Sequence, residues 1–163
     1  LLFFMRITNC HIEGEYVWLP KKFTLPASIE FSVTLNKESD EFIPCFSANK
    51  ADWNSGRSDA LSWYLSPHRC DFTFRTNMFG GFPNIKYFDG GLCAKLGQAY
   101  HMRCEIFPTR ATYFIDDKKY AEVEYDINDV PQEGFFGFAV YQKENDIAVH
   151  HIIPLPISFQ KSA

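Results

Sequence analysis

From Ser28 to Leu35 the chain alternates strictly, with Ile29, Phe31, Val33 and Leu35 on one face and Glu30, Ser32 and Thr34 on the other. A period of two describes a half-buried strand and excludes a helix, whose apolar positions recur every three or four residues. Similar short runs, punctuated by Gly, Pro, Asn or Asp, predict strands over 42–48, 60–65, 71–76, 85–88, 100–106, 111–115, 120–125, 135–142 and 147–153. The only helix the pattern supports is a short one near Ile127 to Val130. No repeat or low-complexity linker breaks the succession, so residues 1–163 read as one domain. Many short strands with frequent turns predict an all-β fold of two antiparallel sheets packed as a jelly-roll sandwich.

The sharpest local signal is a hairpin. Ala111-Thr-Tyr-Phe-Ile115 and Tyr120-Ala-Glu-Val-Glu-Tyr125 flank Asp116-Asp117-Lys118-Lys119, a polar tetrapeptide whose aspartates tolerate the left-handed backbone of a tight turn. Gly134-Phe-Phe-Gly-Phe-Ala-Val-Tyr141 follows, its two glycines allowing close approach or a bulge beside heavy aromatic packing.

Composition then narrows the function classes. Aromatics are 17% of the chain and include 17 Phe, ample material for a sandwich core. The net charge of −4, from 16 basic and 20 acidic residues well mixed along the chain, argues against a nucleic-acid partner or an anionic lipid surface. No stretch approaches the roughly 18 consecutive apolar residues of a spanning helix, so a soluble domain with no membrane partner is expected. Leu1 to Met5 lacks a basic leader and a small-residue cleavage site and reads as no signal peptide; it could equally precede a native start at Met5. Cys10, Cys45, Cys70, Cys93 and Cys104 are odd in number and lack CxxC spacing, which fits neither a zinc site nor a complete disulfide framework, and free thiols are expected. With no Asn-x-Ser/Thr sequon present, this leans toward a reducing, intracellular compartment.

Three segments carry a family resemblance. Tyr100-His-Met-Arg-Cys-Glu-Ile106, Ala111-Thr-Tyr-Phe-Ile-Asp-Asp-Lys-Lys119 and Gly134-Phe-Phe-Gly-Phe-Ala-Val140, with a last strand to Ile153, resemble the C-terminal half of concanavalin A-like domains. That superfamily includes laminin G modules, legume-type lectins, pentraxins and laminarinase-type glucanases. The likeness covers Gly97 to Ile153, and the usual Asp-Gly of the hairpin is Asp116-Asp117 here. It implies a concave sheet whose outward side chains form a ligand groove.

The resemblance also lets an enzymatic reading be weighed. Retaining glucanases need two carboxylates about 5 to 5.5 Å apart, and those of this fold carry them on one strand face upstream of the His-bearing strand. The corresponding stretch, Asp71-Phe-Thr-Phe-Arg75-Thr-Asn77, offers Asp71, Thr73, Arg75 and Asn77 on one face, a single carboxylate. Arg75 suits gripping an anionic or polyhydroxylated ligand better than cleaving one. Glu122, Glu124 and Asp126 form a second carboxylate run, but it follows the exposed hairpin turn and reads first as a solvated face.

Aromatics interleaved with hydrogen-bonding groups make the stronger ligand case, because flat rings stack on sugar faces while amides, carboxylates and guanidinium groups satisfy hydroxyls. Ala51 to Tyr64 places Trp53, Arg57 and Tyr64 in or beside a polar loop, and Asn77 to Gly91 adds Asn84, Tyr87 and Asp89. With Arg75 these seven are the candidate ligand-binding set; Trp63, Phe72, Phe74, Phe82 and Phe88 read as core. No metal and no cofactor is expected: His150 and His151 are neighbours on a strand and should point to opposite faces, and His11, His68 and His101 lack ligand spacing. No Gly-x-Ser-x-Gly elbow occurs. The leading expectation is non-catalytic binding of a glycan or similar polyhydroxylated molecule. The alternatives are an enzyme acting on a sugar or other small molecule, with Asp71 or Asp89 as acid/base, and a protein-interaction domain; homo-oligomerisation stays open.

Overall fold

The computed structural model describes residues 3–8, 15–50, 60–63, 65–68, 72–77, 84–88, 92–140 and 145–158. Among them are twelve strands: β1 (Phe3–Thr8), β2 (Glu15–Thr24), β3 (Ala27–Leu35), β4 (Phe42–Ser47), β5 (Ala60–Trp63), β6 (Phe72–Asn77), β7 (Asn84–Phe88), β8 (Ala99–Phe107), β9 (Arg110–Ile115), β10 (Lys118–Glu124), β11 (Glu133–Val140) and β12 (Asp146–Pro156). A 3-10 turn, Ile127–Asp129, is capped by the Asp126 carboxylate, which accepts from the Asn128 amide. Sheet 1 has the order β1-β12-β3-β8-β9-β10 and sheet 2 the order β2-β11-β4-β5-β6-β7. Every pairing is antiparallel.

The alternation read in β3 sets the first sheet. Buried and half-buried residues alternate along all nine positions of β3, and β8, its neighbour, keeps the same rhythm. Ile29, Phe31 and Val33 of β3 and Met102 and Cys104 of β8 face the inner rows of sheet 2, where Phe42, Phe46, Trp63, Phe74, Phe136 and Phe138 are buried. Rings interlock across the layer: Phe31 stands edge-on to Phe42 at 5.7 Å and to Phe138 at 5.2 Å, and Trp63 tilts against Tyr113 at 5.0 Å. Each such ring, fully buried, contributes about 1.5–3 kcal/mol, so the aromatic content read in the sequence is the cement between the sheets.

Two polar devices tie the ends of the sandwich. The Asp40 side chain is fully buried, and its carboxylate accepts from the amides of Asn36 (3.0 Å), Lys37 (2.9 Å) and Asp146 (3.0 Å). A buried carboxylate is tolerated only when its lone pairs are met in this way, and here they pin the β3–β4 turn to the start of β12. Between β7 and β8, the Leu92 amide donates to the Tyr120 hydroxyl and the Lys95 amide to the Tyr100 hydroxyl (2.9 Å).

Four features depart from the sequence reading. β1 and β2 were not anticipated. β2 hides because Pro20, Lys21 and Lys22 interrupt its alternation at a register shift, a combination tolerated only on an edge strand such as this one. The hairpin loop is the dipeptide Asp116-Asp117, both residues left-handed (φ 50 and 66°), with Lys118 already paired to Ile115; this is the mirror-image turn that matches strand twist.

In β12 the register shifts between His150 and Ile153, and His151 takes φ 54°. Val149 and Ile152 on either side are both fully buried, so the two histidines between them share the outer surface, ring centroids 6.4 Å apart, rather than pointing to opposite faces. Finally, Cys93 is disulfide-bonded, while Cys45 and Cys104 are free and buried. The free-thiol expectation fails at Cys93, and with it the cysteine ground for a reducing compartment. Among the described residues no helix is long and apolar enough to cross a membrane.

Candidate functional site

The outward face of sheet 2 follows from its register. Directly paired residues lie on one side of an antiparallel sheet, and Trp63 pairs with Phe74, both buried in the core. The intervening row therefore points away from the core: Trp18 of β2, Gly137 of β11, Cys45 of β4 and Arg75 of β6, with Ser62 of β5 and Ile85 of β7 at its register positions. Next to it run Ala139 with Ile43 on one side and Phe135, Ser47, Ala60 and Asn77 on the other, while Thr73 pairs with Tyr87.

At the β4–β11 end this face carries a small apolar layer of its own. Ile43, Cys45 and Ala139 are buried there in a cluster separate from the main core, and the half-buried Trp18 packs against it. Gly137 makes the contact possible: a Cβ at that position would lie 2.6 and 2.9 Å from Cε3 and Cζ3 of the indole. Phe135, in the next row, carries the Lys50 ammonium 4.6 Å from its ring centroid. At the β6 end Arg75 is half-buried.

The sequence-derived candidates distribute as follows. Arg75 lies on this face, and Tyr87 occupies an outward register position opposite Thr73. Asn84 pairs with Thr76, which is buried, so its register position belongs to the core-facing rows. Trp53, Arg57, Tyr64, Asp71 and Asp89 lie outside the described residues. Trp63 and Phe74 are core, as read from the sequence. Trp18, on the same face, was not singled out in the sequence.

The carboxylate run on β10 is a solvated face. Glu122 accepts from Lys119 Nζ (3.0 Å) and Thr112 Oγ1 (3.4 Å) and lies 3.6 Å from Arg110 Nε. The Lys119 hydrogen bond, followed by the Lys119 and Arg110 charges, holds its carboxyl below the ordinary value, the reverse of what a general acid requires. Asp126 is used as the cap of the 3-10 turn. The strongest upward shifts lie in the core: burial pushes up the Cys104 thiol, the Tyr113 phenol and the Tyr125 phenol, the last of which donates to the Phe107 carbonyl (2.7 Å). These groups face neither outer surface and hold the sheets together. Among the described residues no group of three or more metal-ligating side chains assembles.

Two six-stranded antiparallel sheets packed face to face make the fold a jelly-roll sandwich. Solved structures with the same fold include the carbohydrate-binding module CBM66 from Bacillus subtilis, at TM-score 0.69 and 12% identity over 95% of this chain and 92% of that one. Sheep galectin-11, solved in complex with glycerol, matches at TM-score 0.59 and 10% identity over 88% and 98%. The endo-β-1,3-glucanase of Pyrococcus furiosus matches at TM-score 0.54 and 12% identity, over 85% of this chain and 64% of the glucanase. No protein-family model matches the chain, and no curated protein matches its sequence.

Proposed function

We propose that the chain binds a glycan or similar polyhydroxylated molecule on the outward face of sheet 2, without transforming it. The observation that carries this reading is Arg75, a guanidinium projecting from the middle of a strand in a row otherwise made of small or apolar residues. A planar fork of donors suits paired hydroxyls or a carboxylate, and a half-buried position strengthens each hydrogen bond it makes.

Two further observations support it. Two of the proteins sharing the fold are named for carbohydrate binding or as galectins. Across β4 to β7, the outward register positions of the described residues include no Asp or Glu, whereas retaining glycoside hydrolysis needs two. Tyr87 on the sheet, with Trp53, Arg57, Tyr64 and Asp89 from the flanking segments, completes the proposed contact set.

The test is a printed glycan array probed with wild type and Arg75→Ala, each first shown to melt cooperatively. Selective binding that Arg75→Ala weakens at least tenfold is expected, since a hydrogen bond to a charged group contributes about 1.5–3 kcal/mol. A blank array from folded wild-type protein overturns the reading.

A further inference from the structure

Adjacent residues of a regular strand point to opposite sides of the sheet and cannot hold one ion between them. The bulge in β12 removes that restriction. The register shifts between His150 and Ile153, His151 takes φ 54°, and Val149 and Ile152 keep the core positions on either side. Both imidazoles are thereby left on the outer side of sheet 1, His151 exposed and His150 half-buried, with ring centroids 6.4 Å apart and planes inclined at 59°. The residue paired with His150 on β3 is the small Ser32. The next one along that row, His101 of β8, is engaged with the Glu30 carboxylate at 3.3 Å.

We infer that His150 and His151 form a two-imidazole site for a divalent transition-metal ion, on the sheet opposite the proposed glycan face and independent of it. A metal–nitrogen bond of about 2.0–2.1 Å puts an ion about 3.2 Å from the centroid of each ring that binds it, so two rings sharing a tetrahedral ion stand about 5.2 Å apart. The pair stands about 1 Å wider than that, a gap that rotation of the exposed His151 side chain closes. Imidazole nitrogen selects nickel(II), copper(II) and zinc(II) over magnesium(II) and calcium(II), which take oxygen ligands. Among the described residues no third His, Cys, Asp or Glu completes the set. Water therefore fills the remaining coordination positions, which stay open to an added oxygen or nitrogen ligand. Two protein ligands, in place of the three or four of a catalytic or structural site, make the ion exchangeable.

The experiment is calorimetric titration of the untagged chain at neutral pH with nickel(II) and, separately, with magnesium(II), on wild type, His150→Ala, His151→Asn and His101→Ala, each first shown to melt cooperatively. Asparagine accepts the left-handed backbone at position 151, so that variant removes the imidazole without straining the bulge. Wild type is expected to take up one nickel ion saturably and no magnesium. Each variant of the pair is expected to weaken nickel binding by about tenfold or more, since loss of even a residue that orients a metal ligand costs about 10–100-fold, while His101→Ala leaves it unchanged. Absence of saturable nickel uptake by wild type, uptake that survives both variants of the pair, or an equal loss in His101→Ala overturns the inference. Glycan binding on sheet 2 is untouched by any of these results.

Discussion

Gly134→Ala probes how closely β11 and β4 are packed. Both of the glycine's strand neighbours are fixed: Gly134 pairs with Phe23 of β2, and on its other side it abuts the end of β4. A methyl group there would clash with the Ser47 carbonyl oxygen and lie 2.7 Å from the Ser47 carbonyl carbon and 3.2 Å from the Ala48 nitrogen. All three are backbone atoms at the end of β4, so no rotamer change relieves the overlap and β4 or β11 must move bodily. Alanine ordinarily gains roughly 0.5–1 kcal/mol over glycine inside a strand. Overpacking of a closed interior costs about 1–3 kcal/mol, and a backbone clash falls at the top of that range. The net expectation is a loss of about 2 kcal/mol, or about 4–8 °C in melting temperature for a chain of this size.

Gly137→Ala is the internal control, because its methyl meets chiefly the Trp18 ring, which can swing outward, and comes no nearer to backbone than 3.1 Å, at the Val17 carbonyl oxygen. It should lose less stability while changing the tryptophan emission. Urea unfolding at unchanged m-value measures both. Wild-type stability in Gly134→Ala, or a larger loss in Gly137→Ala, would refute the packing argument.

Two more predictions concern polar groups. Asp40→Ala strands three amide donors in a buried turn and should cost about 3–5 kcal/mol by chemical denaturation, with amide exchange accelerating at Asn36, Lys37 and Asp146; a loss under 1 kcal/mol would contradict it. The Glu122 carboxyl has its folded pKa depressed, chiefly by Lys119, so its contribution is present above the unfolded carboxylate pKa and disappears as pH falls through the lower, folded one. The melting-temperature gap between wild type and Glu122→Gln should therefore close on acidification from pH 7, and a gap that widens would contradict the ion-pair assignment.

The parts of the fold legible in the sequence were those where local pattern and tertiary burial agree. β3 and β8 have one face in the core and one in solvent, so their alternation is their structure. The Asp116-Asp117 loop was legible because few residue types accept a left-handed backbone. Pattern failed where an edge or a bulge relaxed the rule. β2 carries Pro20 and two lysines, and the bulge at His150 and His151 adds one residue, which inverts the predicted facing of the pair.

The candidate site was legible in part. A period of two set Arg75 on the face opposite Phe72 and Phe74, and the pairing of Arg75 with Ser62, in alternation with the buried pair Trp63 and Phe74, puts it on the outward side of the sheet. The same pairing gives Asn84 a core-facing register position. Trp18 escaped notice because a tryptophan in an apolar strand reads as core until Gly137, 119 residues away in sequence, is seen to make room for it on the outer side. The Cys93 disulfide was hidden by the odd cysteine count, which says nothing of which thiols meet.

The most direct test of the account is quantitative binding of the strongest array glycan to wild type and Arg75→Ala, by calorimetry on cooperatively folded protein. Sheet-face recognition predicts saturable wild-type binding without product formation, weakened at least tenfold by the substitution. Equal affinity in the two proteins would contradict a site at Arg75, and turnover of the glycan by wild type would contradict a non-catalytic binder.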